Sequence, residues 1–156
     1  MDEDSVVDAE LDEESVPEEA LLAQPSNSMD YTAVCDVGTA LNPLLLSGQI
    51  EGAIAMGIGM ALQERYIQKD GITITKDLES LHVPKATDVP YEIHAIPVEE
   101  IHPYGPYGAK GMGELPLNPT APAILNAVYN AVGVRIHKLP VDCRTIAEAI
   151  KARQGE

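Results

Sequence analysis

Large aromatic rings are nearly absent: the 156 residues include six Tyr and neither Phe nor Trp. Any core must therefore be aliphatic, built from Leu, Ile, Val, Ala and Met. Positive charge is also scarce, with 10 Lys and Arg against 25 Asp and Glu and a formal net charge of −15. Phosphate backbones and anionic bilayers both need Lys and Arg, so a nucleic-acid surface and a membrane-surface module are disfavoured. Cysteine is limited to Cys35 and Cys143, far apart and without a C-x-x-C, which argues against a disulfide scaffold and a structural zinc site. The first residues carry no basic, apolar leader. The longest uncharged apolar run, Gly52–Leu62, is too short to cross a bilayer. A soluble cytoplasmic protein is expected.

What is present is unevenly spread. Residues 1–19 hold ten acids, and the first basic residue is Arg65. Residues 1–29 read as an acidic tail, with disorder predicted because like charges repel and apolar residues are sparse. Residues 30–156 form the domain. Tyr31–Val37 is a β-branched run ended by Gly38 and predicts a strand. Asn42-Pro43 supplies an N-cap and a proline for the first turn of a helix from Pro43 to about Tyr66. In it Leu46, Ile50, Ile54, Ile58 and Leu62 recur every fourth position. Four glycines (Gly48, Gly52, Gly57, Gly59) also fall within it, each costing ~1 kcal/mol relative to Ala. Close packing against another element, or a ligand lying on the helix, would account for them. Gln49 and Glu51 disfavour a membrane helix-dimer motif there.

Further on, Ile72–Thr75 predicts a short strand, Leu78–Val89 loop or edge structure, and Tyr91–Val98 a strand. Ala121–Val132 predicts a helix closed by Gly133, Val134–Leu139 a strand, and Asp142 caps a last helix to about Arg153. Between them lies HPYGPYGAKGMGELPLNPTAP (His102–Pro122), with four glycines and five prolines. Such a stretch predicts no regular element, yet it carries Tyr104, Tyr107, Met112 and Leu115, and long apolar-containing loops tend to serve function.

Glu114 stands in this loop between glycine and proline, where a carboxylate can be presented to a pocket as a general base. A solvated surface Glu with Lys110 four residues before it is an equal reading. The loop's glycines could offer backbone N–H groups to an anion, but neither the P-loop nor the dinucleotide-binding order is present. His82, His94, His102 and His137 lack metal-ligand spacing. Cys35, Cys143 and Asp36 read as structural or solvated residues. No nucleophile elbow or Ser-His-Asp order appears.

Several segments together resemble the xanthine dehydrogenase/aldehyde oxidase family of molybdenum hydroxylases. These are DVGTALNPLLLSGQIEGAIAMGIGMALQE, VPKATDVPYEI, GPYGAKGMGELPL and AILNAVYNAVGVRIHKLPV, in the family's order and covering about Tyr31 to Arg153. The resemblance implies an α+β fold, the C-terminal portion of the second molybdopterin-binding domain, with mixed strands, one long glycine-rich helix and two shorter C-terminal helices. It implies that Gln49 hydrogen-bonds a molybdopterin cofactor and that Glu114 is the active-site base as a water-derived oxygen attacks an electron-poor carbon. Lys110, Gly111 and Gly113 fall on the cofactor side, where side chains at the two glycines would crowd the metal centre. No protein ligand to the metal is implied within this chain.

The family's upstream cofactor segments and iron–sulfur cysteines have no counterpart here. The resemblance thus implies a cofactor site shared with partner sequence, iron–sulfur clusters and FAD on other subunits, and a small-molecule substrate (an aldehyde, purine or N-heterocycle). Uncovered apolar surface would favour association, with other subunits or with further copies. Two other readings compete: a non-catalytic structural or assembly module that keeps the fold without cofactor, and, less well supported, a phosphate- or nucleotide-binding domain using residues 105–114.

Overall fold

The computed structural model describes residues 30–155, so the acidic stretch predicted to be disordered lies outside the described residues. Strand β1 (Tyr31–Asp36) alternates: Ala33 and Cys35 point into the core while Thr32, Val34 and Asp36 are exposed. Helix α1 (Pro43–Leu62) begins as its sequence demands. The Asn42 side chain accepts the Leu45 amide at 3.1 Å, and Pro43 opens the first turn. The four-residue period seats Ile50, Ile54 and Ile58 on the sheet at no more than 1% exposure, each contributing about 1.5–3 kcal/mol of burial.

By length and composition α1 could cross a membrane, with a mean hydropathy of 1.4. The uncharged run alone understated its reach. Its isoleucine face is nonetheless part of the core, as in a core helix. α1 stops at Leu62 rather than Tyr66, because the Gln63 and Glu64 amides both turn back onto the Gly59 carbonyl and the Arg65 amide is taken by Leu81.

Strands β2 (Gln68–Lys69) and β3 (Ile72–Thr73) form a small antiparallel hairpin around Asp70 and Gly71, both at positive φ as such tight turns require. Helix α2 (Leu78–Leu81) takes the first four residues of the expected loop, and 82–89 remain turn and loop. Asp77 and Ser80 make a reciprocal capping box at its start. Strand β4 (Ile93–Val98) runs parallel to β1, with Ala33 opposite Ala95 and Val34 opposite Ile96. It starts at Ile93, two residues later than predicted.

Helix α3 (Leu117–Val132) begins four residues before the predicted Ala121. Pro119 is tolerated because the first-turn amides have no intrahelical partner in any case, and the Thr120 hydroxyl donates to the Pro116 carbonyl at 2.9 Å. The helix ends on Gly133 at φ +69°. Val134–Leu139, predicted as a strand, is not one; among the described residues no strand pairs with it, so its alternation has no ladder to join. Helix α4 (Cys143–Gln154) is capped by Asp142, whose carboxylate accepts the Thr145 amide at 2.8 Å. Ile146, Ala149 and Ile150 are half-buried along it.

The architecture is α+β. One core joins Ala33, Cys35 and Val37 of the first strand and its exit to Ile50, Ile54 and Ile58 of α1. Among the described residues Tyr31 is the aromatic ring packed against this core, which is otherwise aliphatic apart from Cys35 and Met112. Both cysteines are free, Cys35 buried and Cys143 exposed. Burial raises the Cys35 thiol pKa, which suits an inert core residue.

Candidate functional site

The glycine-rich loop is not loose. The Gly108 carbonyl accepts both the Thr39 and His102 amides at 3.0 Å, and the Lys110 amide donates to the Val37 carbonyl at 3.0 Å. The Thr39 and Lys110 bonds together make Gly38 and Ala109 an antiparallel bridge pair. This closeness fixes Gly38: at φ +63°, a Cβ there would sit 2.2 Å from the Gly108 oxygen. The loop is thus stitched to the end of β1, next to the start of α1. Tyr107 at its tip adopts φ +57°, a conformation uncommon for a bulky residue and held here by the surrounding bonds.

Lys110 reaches Asp36, 74 residues away, with Nζ 2.5 Å from Oδ2. The other carboxylate oxygen accepts the Gly38 amide at 3.1 Å, an Asx-type turn at the strand end. The Lys110 hydrogen bond first, and the Gly38 amide second, hold the Asp36 carboxyl below the usual aspartate range. Two residues on, Met112 packs against the main core and anchors the loop a second time. Gly111, Gly113 and Glu114 follow, all exposed. The Glu114 carbonyl accepts the Leu117 amide at 3.2 Å, so the acid stands at the doorstep of α3.

An open hollow of about 190 Å³ lies where the loop, the β1 exit and the first turns of α1 meet. Its wall includes Val37, Thr39, Leu41, Leu45, Gln49 and Lys110. Two of the sequence-predicted site residues, Gln49 and Lys110, therefore share one cavity. Glu114, Gly111 and Gly113 are not in its wall; they continue the same loop beyond it. Sequence reasoning missed Asp36 as the partner of Lys110 and Gly38 as the place where the loop is stitched down. The D-x-G at a strand end was the available local signal for the turn, but nothing local links it to position 110.

The glycines of α1 divide. A Cβ on Gly57 would lie 2.5 Å from the Thr120 Cβ, and one on Gly59 would lie 2.6 Å from the Pro84 ring. Gly48 and Gly52 are exposed, and a Cβ on either would meet nothing within 4 Å, as would one on Gly111 or Gly113. Within this chain, then, close packing explains two of the four helix glycines. Among the described residues no group of three His, Cys, Asp or Glu could hold a metal.

Comparisons with known proteins give the family. Residues 26–90 match the model of the molybdopterin cofactor-binding domain family. The chain is 39% identical to the aldehyde oxidoreductase of Megalodesulfovibrio gigas over 78% of its own length and 13% of the relative's. It is 41% identical to the putative xanthine dehydrogenase molybdenum-binding subunit of Escherichia coli over 74% of its length and 15% of the relative's. The fold superposes on quinoline 2-oxidoreductase from Pseudomonas putida 86 with a TM-score of 0.70 and 35% identity, over 77% of this chain and 16% of that one. The chain thus spans well under a fifth of the length of the relatives it matches. Sequence and fold together make it a member of the xanthine dehydrogenase/aldehyde oxidase family of molybdenum hydroxylases, matching a segment of their molybdenum-binding parts.

Proposed function

We propose that this chain supplies the catalytic-loop part of a molybdenum hydroxylase active site and works only with partner chains that complete the cofactor pocket. The observation that carries the reading is the shared hollow of Gln49 and Lys110 at the root of the loop that presents Glu114, in a chain of this family. The donor set fits the organic part of a molybdopterin. Gln49 offers an amide, both donor and acceptor, from an exposed helix face. Lys110 carries three ammonium donors, one of them held by Asp36. Gly48, Gly52, Gly111 and Gly113 leave open ground where a flat ring system or another backbone could approach. No protein ligand to the metal is needed from this chain.

When bound, the cofactor would supply the redox chemistry of a hydroxylation that uses water as oxygen source. The chain's own part is binding and proton handling. Gln49 orients the pterin by hydrogen bonds. Glu114 accepts the proton from the attacking water-derived oxygen, assistance worth about 10²–10⁴-fold. The small-molecule substrate, an aldehyde, purine or N-heterocycle, would be chosen by residues of the partner chains. Those partners would also carry the iron–sulfur clusters and FAD that remove electrons, in a cytoplasmic complex.

The exposure of Glu114 in this chain favours one competitor, a module that keeps the fold without catalysis. One experiment separates them. The chain is purified with its natural partners, molybdenum is assayed, and Glu114→Gln is compared with wild type. The proposal expects molybdenum in both and turnover lower by about 10²-fold or more in the variant. A complex without molybdenum, or a variant with normal turnover, would leave the structural module standing.

A further inference from the structure

We infer that Asp36 is a positioning residue for the Glu114 loop, acting through Lys110. The inference rests on the catalytic reading of Glu114 but concerns a residue outside the motif that carries it. Asp36 ends β1 and faces solvent on the side opposite the core, where a strand needs no carboxylate for packing. Its two oxygens are nonetheless both engaged. One accepts the Gly38 amide and the other the Lys110 ammonium. The first bond shapes the turn into which the loop is stitched; the second holds the loop's own lysine.

Between these bonds run the Thr39–Gly108 and Lys110–Val37 backbone hydrogen bonds, which make the Gly38–Ala109 bridge. Asp36 therefore clamps both strands of the stitch. The loop leaves this clamp at Lys110, is pinned again at Met112 in the core, and reaches Glu114 two residues later. Only a short, glycine-flanked span separates the carboxylate from the clamp. Its reach into a shared pocket is set by how Lys110 is held. A misplacement of about 1 Å in a reacting group costs on the order of 10²-fold in rate, so the clamp matters more for rate than for folding. The titratable and charged groups facing the Asp36 carboxylate are Lys110 from the loop and, through its backbone, Glu100 beyond β4.

The test uses the chain in its complex with partner subunits. Asp36→Asn keeps size and the Gly38 turn but removes the charge that holds Lys110. The expected result is kcat lower by about 10–100-fold, with KM within about threefold and molybdenum content unchanged. Asp36→Glu should recover most of the loss. In the isolated chain, exchange of the Thr39 and Lys110 amides, which donate across the stitch, should quicken by about tenfold in Asp36→Asn, with exchange in α1 unchanged. A purely structural role would instead lower the melting temperature and leave kcat of the folded complex intact, which overturns the inference. Unchanged exchange at Thr39 and Lys110 also overturns it, whatever the activity. Loss of turnover in Glu114→Gln alongside normal turnover in Asp36→Asn sinks this inference and spares the proposed function. Normal turnover in Glu114→Gln sinks the function itself, while the exchange result still decides whether Asp36 clamps the loop.

Discussion

The two halves of helix α1 carry the same number of glycines for different reasons. In the second half, Gly57 and Gly59 let Thr120 of α3 and Pro84 come within contact that a Cβ would forbid. In the first half, Gly48 and Gly52 face nothing in this chain, beside exposed Leu41, Leu44 and Leu45. A glycine inside a helix costs about 1 kcal/mol relative to Ala and needs a neighbour to account for it. The packed half shows what glycine does here when its neighbour is present. The open half carries Ser47, Gln49 and Glu51 among its apolar residues, and its two glycines have no such neighbour in this chain.

The contrast breaks most sharply at Gly57. Valine there would drive Cβ and its methyls into the fully buried Thr120, whose hydroxyl is held by the Pro116 carbonyl. Overpacking of this kind costs about 1–3 kcal/mol. Gly57→Val should therefore lower the urea midpoint of the isolated chain, with a readout in α3 by near-neighbour amide exchange. A neutral result would mean that α1 and α3 are not in the contact described.

Gly52→Ala should do the opposite in the isolated chain. With open space around the new methyl, the substitution gains up to about 1 kcal/mol of helix propensity. In the complex, the same methyl should weaken retention of molybdenum cofactor or partner. Gain in one setting and loss in the other is the signature of a glycine kept for something outside the chain. Destabilisation in both would show that Gly52 already has an intramolecular reason.

These differences also mark how far the sequence could be read. The start of α1, the Gly133 stop and the Asp142 cap were legible because each signal is local: a capping side chain, a proline in the first turn, a left-handed glycine. The isoleucine face was legible from its period. The early start of α3 was not, because five prolines in His102–Pro122 read as a barrier when Pro119 falls in the tolerant first turn. The Val134–Leu139 alternation misled, since a strand needs an edge as well as a pattern. The parallel pairing of β1 with β4 and the Asp36–Lys110 pair join residues 62 and 74 positions apart, and no local rule spans that distance. Gln49 and Glu114 came from family resemblance; spacing alone left Glu114 evenly balanced between base and surface residue.

The smallest expected effect lies at the packed end of α1, where Asp142 joins Arg65 just beyond the helix and caps α4. Partial burial pushes the Asp142 carboxyl up, but the Thr145 amide and hydroxyl, followed by Arg65, outweigh it and hold the pKa below the usual range. A carboxyl depressed by folding adds stability above its unfolded pKa near ~3.9, and that contribution is lost as pH falls through the lower folded value. The group is a third exposed, so solvent screening leaves the charge worth no more than a few tenths of a kcal/mol. Asparagine caps a helix about as well as aspartate. Asp142→Asn should thus cost only those few tenths at pH 7, and the gap from wild type should close as pH falls through the folded value, in a series of urea melts. Asp142→Ala removes the cap as well and should cost about 1 kcal/mol at pH 7. A wild-type advantage over Asp142→Asn that stayed constant down to pH 2 would show that the carboxylate acts through shape alone, and that the packed end of α1 owes nothing to charge.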